Sequence, residues 1–272
     1  MTIDDLFSVR GLSVLITGGA SGIGLAYAEA MAENGARVMI ADIDPDALAR
    51  AVGDLAAPGA EVEGTVVDVT KRGDLDRVVA ASVARYGRID VVFANAGISG
   101  GPGFLGADHT RNPERALERV APELWARVMD TNLTSVFHTF QAVIPPLKAQ
   151  GGGRIIVTSS ISATKTEIYV GAAYVASKAG VAQLVRQAAH ELAKFNILVN
   201  AIAPGPVITN IGGGRLKDSE ARRPFEQACP LHEVATPDDL KGAALYLASR
   251  ASRFVTGAEV VVDGGVTLGI AD

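Results

Sequence analysis

The sequence predicts one doubly wound α/β domain, a seven-stranded parallel sheet flanked by helices on both faces. Three observations predict it. Short, continuously apolar runs alternate with helical patterns from residue 13 onward, the order that parallel strands with crossover helices require. Apolar residues make up 48% of the 272 residues and charged residues 20%, a balance that can fill one large core. No linker, composition shift or internal repeat divides the chain, so residues 1–272 form a single domain.

The elements follow in order. Ser13–Thr17 reads as the first buried strand. Gly22–Asn34 is a helix with Ile23, Ala26, Tyr27, Ala30 and Met31 on one face, closed by Gly35. Arg37–Ala41 is the second strand. Asp44 then Pro45, an N-cap followed by proline at the first helical position, opens a helix to about Ala56. Val62–Val67 is the third strand, Thr70 caps a helix running to Tyr86, and Ile89–Ala94 is the fourth strand. The segment Ser99–Ala121 holds Gly100, Gly101, Pro102, Gly103 and Gly106, then a charged run from Asp108 to Arg119. It reads as a long loop with room for one short helix, and a loop of that length has a task or is mobile. Pro122–Leu147 is a long helix, disturbed near Pro145–Pro146. Arg154–Ser159 is the fifth strand, Ala173–Phe195 a second long helix and Leu198–Ile202 the sixth strand. Pro204–His232 is irregular and glycine-rich. Thr236-Pro237-Asp238-Asp239 opens a helix to about Ser249, and Val260–Val262 is the seventh strand.

Charge and composition exclude several functions. The formal net charge of −5 favours neither nucleic acid nor an anionic membrane. Cys229 is the only cysteine, so no internal disulfide and no paired-cysteine metal site can form; it reads as a small loop residue. His109, His138, His190 and His232 show no metal-ligand spacing, and no metal is expected. His138 and His190 read as packed or solvated helix residues, and Trp125 as a packing anchor. Asp4 and Asp5 stand where a leader would carry positive charge, and no apolar run nears the ~20 residues of a membrane span. A cytoplasmic protein is expected.

Chemistry concentrates where the first strand meets the first helix. Thr17-Gly18-Gly19-Ala20-Ser21-Gly22-Ile23-Gly24 has the spacing Gly-x-x-x-Gly-x-Gly. A pyrophosphate needs backbone N–H donors at close range. Glycine removes the Cβ that would block approach, and a helix N-terminus supplies free N–H groups and a favourable dipole. Asp42 follows the second strand, 18 residues after Gly24. A carboxylate there accepts hydrogen bonds from ribose hydroxyls and repels a 2′-phosphate. Neither Ile43 nor Ser21 brings positive charge, so the three positions agree on NAD over NADP.

Thr17–Gly24, Asp68-Val69, Asn95-Ala96-Gly97, Asn132, Ser160, Tyr174-x-x-x-Lys178 and Pro204-Gly205 occur in that order. Together they resemble the short-chain dehydrogenase/reductase family, from about Gly11 to Gly265. The resemblance implies a Rossmann-like fold binding NAD through Gly18, Ser21, Gly22, Ile23, Gly24, Asp42 and Ile43. It implies that Asp68 bonds the adenine amino group, with Val69 beside the base. Asn95, Ala96 and Gly97 line the cofactor and stabilise the sheet, and Asn132 holds a water in a proton relay. Pro204 and Gly205 lie at the nicotinamide end, where Val207 donates from its backbone and Thr209 from its hydroxyl. The region 206–232 resembles the substrate lid, with Gly212, Gly213 and Gly214 suited to a hinge. Its basic residues Arg215, Lys217, Arg222 and Arg223 read as a solvated helix balanced by Asp218, Glu220 and Glu226, with an anion-binding lid as the alternative. Family members pair their two long helices, here 122–147 and 173–195, and their last strand and helix, which implies a homotetramer.

The catalytic group also makes sense from the residues alone. Tyr174 and Lys178 are four residues apart and share a helix face. A free phenol titrates near ~10, too high for a base at neutral pH. A neighbouring ammonium favours the phenolate, so the tyrosine can take an alcohol proton or return it to a ketone. Lys178 has three donors, enough to reach ribose hydroxyls and a relay water together. Ser160 lies at the carboxyl edge of the sheet and can orient the substrate oxygen. Ser159 and Ser162 lie close by. The gap from Ser160 to Tyr174 is 14 residues, one longer than the family commonly shows, which keeps Ser162 as a second candidate. The expected reaction moves a hydride between NAD and a secondary alcohol or ketone of small size. The alternatives on this fold are an NAD-retaining epimerase or dehydratase and a non-catalytic dinucleotide sensor. A methyltransferase shares the glycine loop and the acidic residue but has no use for Tyr174 and Lys178.

Overall fold

The computed structural model describes residues 2–56, 59–106 and 110–269. Seven strands form one sheet: β1 (Ser13–Thr17), β2 (Arg37–Asp42), β3 (Glu61–Val66), β4 (Val91–Ala94), β5 (Gly153–Thr158), β6 (Ile197–Pro204) and β7 (Glu259–Val262). Their order is β3-β2-β1-β4-β5-β6-β7, and every pairing is parallel. The order reverses between β1 and β4. Two crossovers leave that point in opposite directions, and ligands bind at the carboxyl ends of the strands beside such a switch.

Side chains alternate across the strands. Leu15, Met39, Val92, Ile155 and Val199 face one apolar layer with α4 (Arg72–Tyr86), α6 (Ser135–Ala149) and α7 (Ala172–Leu192). Ile16, Val38, Ile40 and Phe93 face the other, with α2 (Gly22–Glu33), α3 (Pro45–Leu55) and α9 (Lys241–Ala248). Both faces are covered, which is why the central strands carry almost no polar residues. The local signals act as their chemistry dictates. Asp44 caps α3 through the N–H groups of Asp46 and Ala47, and Thr236 with Asp239 forms a reciprocal capping box.

Several expectations are corrected. A short helix, α1 (Ile3–Phe7), precedes the sheet, capped by Thr2 and Asp5. Thr70 does not cap α4. Its N–H and hydroxyl both donate to Asp68 Oδ1, at 3.0 and 2.6 Å, and Lys71 takes the cap position. The helix expected over 122–147 is three pieces: α5 (Pro122–Met129), a wide π-turn over Asp130–Thr134, and α6. The break falls at the π-turn rather than at Pro145–Pro146, which α6 accommodates near its end. The irregular stretch 204–232 contains α8 (Ser219–Ala228), capped by the Asp218 carboxylate. Trp125 is 40% exposed, so it does not anchor the core. Cys229 is buried, packed with Ile161 and Val266. The last described residues contribute cover, because the Val266 carbonyl accepts from Lys165 Nζ at 3.1 Å.

The described parts of the segment 99–121, residues 99–106 and 110–121, are loop and short turns. The segment runs antiparallel to the stretch before α7, doubles back through a Leu105–Arg111 bridge, and ends in two 3-10 turns at Pro113–Arg115 and Leu117–Arg119. His109, read as a residue of this loop, lies outside the described residues.

Candidate active site

β1 ends at Thr17, and the chain enters α2 through Gly18 and Gly22, both left-handed at φ 63° and 54°. A Cβ on Gly18 would lie 2.7 Å from Ala96 Cα, and one on Gly24 would overlap the Gly18 carbonyl oxygen. Asn95 locks this approach. Its Nδ2 donates to Gly18 O at 2.9 Å and its Oδ1 accepts from the Thr158 hydroxyl at 2.9 Å, so it ties the loop to the end of β5. Ser21 precedes α2 in extended conformation and its side chain caps nothing. The N–H groups that open α2 are left for an anion.

Asp42 closes β2 beside this loop. Its Oδ2 accepts from Ala20 N at 3.0 Å and its Oδ1 from Asp44 N at 3.1 Å, which fixes the carboxylate at the loop's edge. Ile43 next to it is 65% exposed. Asp68 accepts twice from Thr70 and pairs with Lys71 at 3.3 Å. The Thr70 hydroxyl is the main cause holding its carboxyl below the ordinary carboxylate value. Val69 packs at the edge of the core alongside. At the far end, Gly205 N–H donates to Val262 O at 2.9 Å, and a Cβ there would lie 2.8 Å from Asp263 Cα. Val207 is bridged to Ala235 through the Ile208 N–H rather than its own. Thr209 lies against the glycine loop, 3.3 Å from where a Gly22 Cβ would stand. The free N–H groups that open α2, the Asp42 carboxylate and the Pro204–Thr209 turn therefore border one cleft. A cradle that a Cβ would fill, unclaimed helix N–H groups and a fixed carboxylate fit a dinucleotide.

Lys178 is 5% exposed, and its Nζ donates to Thr158 O at 2.7 Å. It lies 5.6 Å from the Tyr174 ring centroid. Burial lowers Lys178 to about 8. Burial also raises Tyr174, opposed by a hydrogen bond from the Ser160 side chain and reinforced by the Glu167 carboxylate. In the protein alone, desolvation thus outweighs the expected pull of the ammonium on the phenol. Ser160 is the serine that reaches Tyr174. Its oxygen also contacts Ser162 Oγ at 3.1 Å and accepts from Ser162 N at 3.1 Å, so Ser162 supports it from behind. Ser159 is buried, without a hydrogen-bond partner for its hydroxyl.

Asn132 is buried in the π-turn, and its side chain is fully used. Oδ1 accepts from Ile98 N at 2.8 Å, and Nδ2 donates to Ile98 O at 3.0 Å and to Ser177 Oγ at 3.2 Å. Ser177 in turn donates to Tyr174 O at 2.7 Å. Gly97 packs beside the Asn132 amide, its would-be Cβ 3.3 Å from Oδ1. The lid has three successive left-handed glycines, Gly212 to Gly214 at φ 63°, 77° and 74°. Its basic residues are partly spoken for. Arg222 pairs with Glu226 at 2.6 Å and Arg215 stacks over Phe225 at 5.3 Å.

Sequence reasoning missed Glu167, half-buried and electrostatically coupled to Tyr174, which no spacing singles out. It also missed the Tyr169–Phe225 ring contact at 5.4 Å, which joins α8 to the loop before α7. Among the described residues no cluster of histidine, cysteine or carboxylates could hold a metal ion, and no helix is long and apolar enough to cross a membrane.

A doubly wound sheet with a glycine cradle at its switch point and a Ser-Tyr-Lys group facing it defines a dinucleotide-dependent oxidoreductase. The chain belongs to the short-chain dehydrogenase/reductase family: a family model described as enoyl-(acyl carrier protein) reductase matches residues 18–267. It is 38% identical over 263 residues to an L-rhamnose 1-dehydrogenase (NAD(P)(+)) of Azotobacter vinelandii, covering 93% of this chain and 96% of that protein. It is 35% identical over 269 residues to an L-rhamnose-1-dehydrogenase of Scheffersomyces stipitis, covering 95% and 96%. A short-chain type dehydrogenase/reductase from Mycobacterium marinum superposes with a TM-score of 0.88 at 35% identity, covering 98% of this chain and 99% of that one. The family uses a nicotinamide dinucleotide, and its members here are dehydrogenases or reductases of alcohols or ketones.

Proposed function

We propose that this protein is an NAD-dependent dehydrogenase of secondary alcohols, and that its substrate is a small polyhydroxylated molecule of the sugar or polyol class. The observation that carries the reaction is the meeting of Tyr174, Ser160 and buried Lys178 at the carboxyl end of β5, beside the glycine cradle. The rhamnose dehydrogenases among the relatives support the substrate class.

Gly18, Ser21, Gly22, Ile23 and Gly24 receive the pyrophosphate, Asp42 the adenosine ribose, and Asn95 to Gly97 with Pro204 to Thr209 flank the remainder. A bound oxidised nicotinamide dinucleotide supplies a hydride acceptor and a ring cation in this cleft. Ser160 donates to the substrate oxygen and keeps it against the tyrosine. The Tyr174 phenolate oxygen takes the alcohol proton and becomes the phenol, and in the reverse direction the phenol gives its proton to the ketone oxygen. Lys178 holds the ribose side and favours the phenolate once charge develops in the closed cleft. Because the Asn132 amide is committed to Ile98 and Ser177, its part in the relay runs through its main-chain carbonyl in the widened turn. NAD is favoured over NADP by the fixed Asp42 carboxylate and uncharged Ile43. The exposed Trp125 and Phe137 on α5 and α6 support a homotetramer paired through its long helices.

The test is a panel of aldoses, polyols, cyclic diols and steroids, read by NADH formation with wild type and Tyr174→Phe. We expect turnover of a polyhydroxylated substrate and a loss of about 10³-fold in kcat in the variant. Intact turnover in Tyr174→Phe overturns the mechanism, and preference for an apolar steroid overturns the substrate class.

A further inference from the structure

The catalytic helix begins at Ala172, two residues before Tyr174, and the segment that crosses over this start is the loop 99–105. Three glycines let the two backbones touch. A Cβ on Gly100 would lie 3.0 Å from both Tyr174 N and Tyr174 Cβ. A Cβ on Gly171 would overlap the Gly100 carbonyl oxygen, and one on Gly103 would lie 2.6 Å from Val170 N. Hydrogen bonds run along the same line. Gly171 N–H donates to Gly101 O at 3.1 Å, Leu105 N–H to Ile168 O at 3.2 Å, and Pro102 bridges Val170.

Both ends of this crossing are held. Upstream, Ile98 is clamped through its N–H and its carbonyl by the Asn132 amide, which also reaches Ser177 one turn beyond Tyr174. The Ser99 hydroxyl accepts from Gly101 N at 3.1 Å and shapes the turn, where Gly101 sits at φ 80°. Downstream, Asn112 N–H donates to Phe104 O at 2.9 Å and Gly106 N–H to Thr110 O at 2.9 Å, folding the segment back on itself. Gly171 has φ −65° and ψ 145°, which any residue adopts. Its lack of a side chain is required by the approach of the crossing segment alone.

We propose that residues 99–105 form a strap whose backbone contact with the start of α7 sets the position of the Tyr174 hydroxyl, with Gly100 and Gly171 as positioning residues. This rests on Tyr174 being the acid/base. A side chain at either glycine must push the strap and the first turn of α7 apart. The phenol then moves relative to Ser160 and Lys178, whose own anchors lie on β5 and the second turn. A displacement of the order of 1 Å at a reacting group costs about 100-fold in rate.

The experiment compares Gly100→Ala, Gly171→Ala and the open-space control Gly73→Ala in the full-length enzyme. We expect kcat to fall about 10- to 100-fold in the first two. NADH affinity should stay within about threefold, because the pyrophosphate and adenosine-ribose contacts lie at the far side of the cleft. The acid-side pKa of the kcat/KM profile for alcohol oxidation, which reports the phenol as base, should move, and amide exchange at residues 172–178 should quicken. Gly73→Ala should match wild type. Should the glycine variants fail to fold, Ser99→Ala, which removes only the turn bond, should lower kcat about three- to tenfold with the KM for NAD unchanged. Wild-type kcat in the folded glycine variants, or in Ser99→Ala if those misfold, overturns the strap. So does loss of rate that only follows loss of NADH binding and melting temperature. Tyr174→Phe is run beside them: if it stays active, the acid/base reading fails, and if it alone is inactive, only the strap does.

Discussion

The two sides of the cleft are built differently. On the cofactor side, Gly18, Asn95 and Asp42 sit at the ends of buried strands and Gly24 in the first turn of α2, fixed by close backbone approach and by hydrogen bonds to the main chain. On the substrate side, the described parts of 99–121, the stretch 160–171 and the lid with α8 are held by contacts between irregular segments: the strap, the Tyr169–Phe225 contact and the Lys165 bond to the C-terminal turn at Val266. Errors on the first side should cost the whole ligand. Errors on the second should cost rate or selectivity and leave the dinucleotide bound.

The largest expected effect tests the rigid side. Gly24→Ala places a methyl group on the Gly18 carbonyl and 2.5 Å from Asn95 Nδ2. Overpacking of this kind destabilises by about 1–3 kcal/mol, and NADH titration should show binding weakened by more than about 100-fold (2.7 kcal/mol by the same scale). Unchanged binding would break the comparison at its strongest point.

Lys178→Met belongs to both sides, since the ammonium reaches the ribose and the phenol. A loss of about 10²- to 10³-fold in kcat is expected. Its stability signature is distinctive. The folded value of about 8 lies below the unfolded ~10.4, so between those values the unfolded chain binds the extra proton. Wild-type stability without cofactor should therefore rise with pH across that window, by up to ~3 kcal/mol. Tyr174, raised by burial, acts in the opposite sense once the unfolded phenol ionises near ~10. Urea melts over this range should show the rise in wild type and lose it in Lys178→Met.

A smaller effect separates the two dinucleotides. The pair Asp42→Ala with Ile43→Arg removes the repelling carboxylate and adds a cation, and should move the NADP to NAD ratio of kcat/KM by about 100-fold, read by steady-state kinetics. The smallest tests the lid. Phe225→Ala removes the ring that bridges Arg215 and Tyr169, and substrate KM should rise about three- to tenfold with NADH affinity unchanged. A loss of dinucleotide binding in that variant would show that the two sides are not separable.

The same division explains what could be read from sequence. The succession of strands and helices, the glycine cradle and Asp42 depend on local sterics and on apolar runs, which residue types declare directly. Tyr174 and Lys178 share one helical face by spacing alone. The strap could not be read, because Gly100 and Gly171 mean nothing until the backbones of two loops meet. Thr70 misled for a related reason: the Asp68 carboxylate two residues earlier captured both of its donors, a competition between side chain and helix that a cap motif does not reveal. The π-turn at 130–134 was invisible because a single wide turn leaves the apolar periodicity on either side nearly intact.

That wide turn carries a consequence for helical phase. Ser135 N–H reaches back five residues to the Asp130 carbonyl instead of four, so the segment holds one residue more than regular winding needs. Deleting a single residue here would let the backbone close into an unbroken coil. Because the wide turn already absorbs that extra residue, Val136, Phe140 and Val143 would keep their phase against the sheet, and only the local displacement of Asn132 and its neighbours would be lost. A one-residue gap should therefore be tolerated by the fold inside this turn and cost activity there, whereas the same gap within α6 would turn the rest of that helix by about 100°.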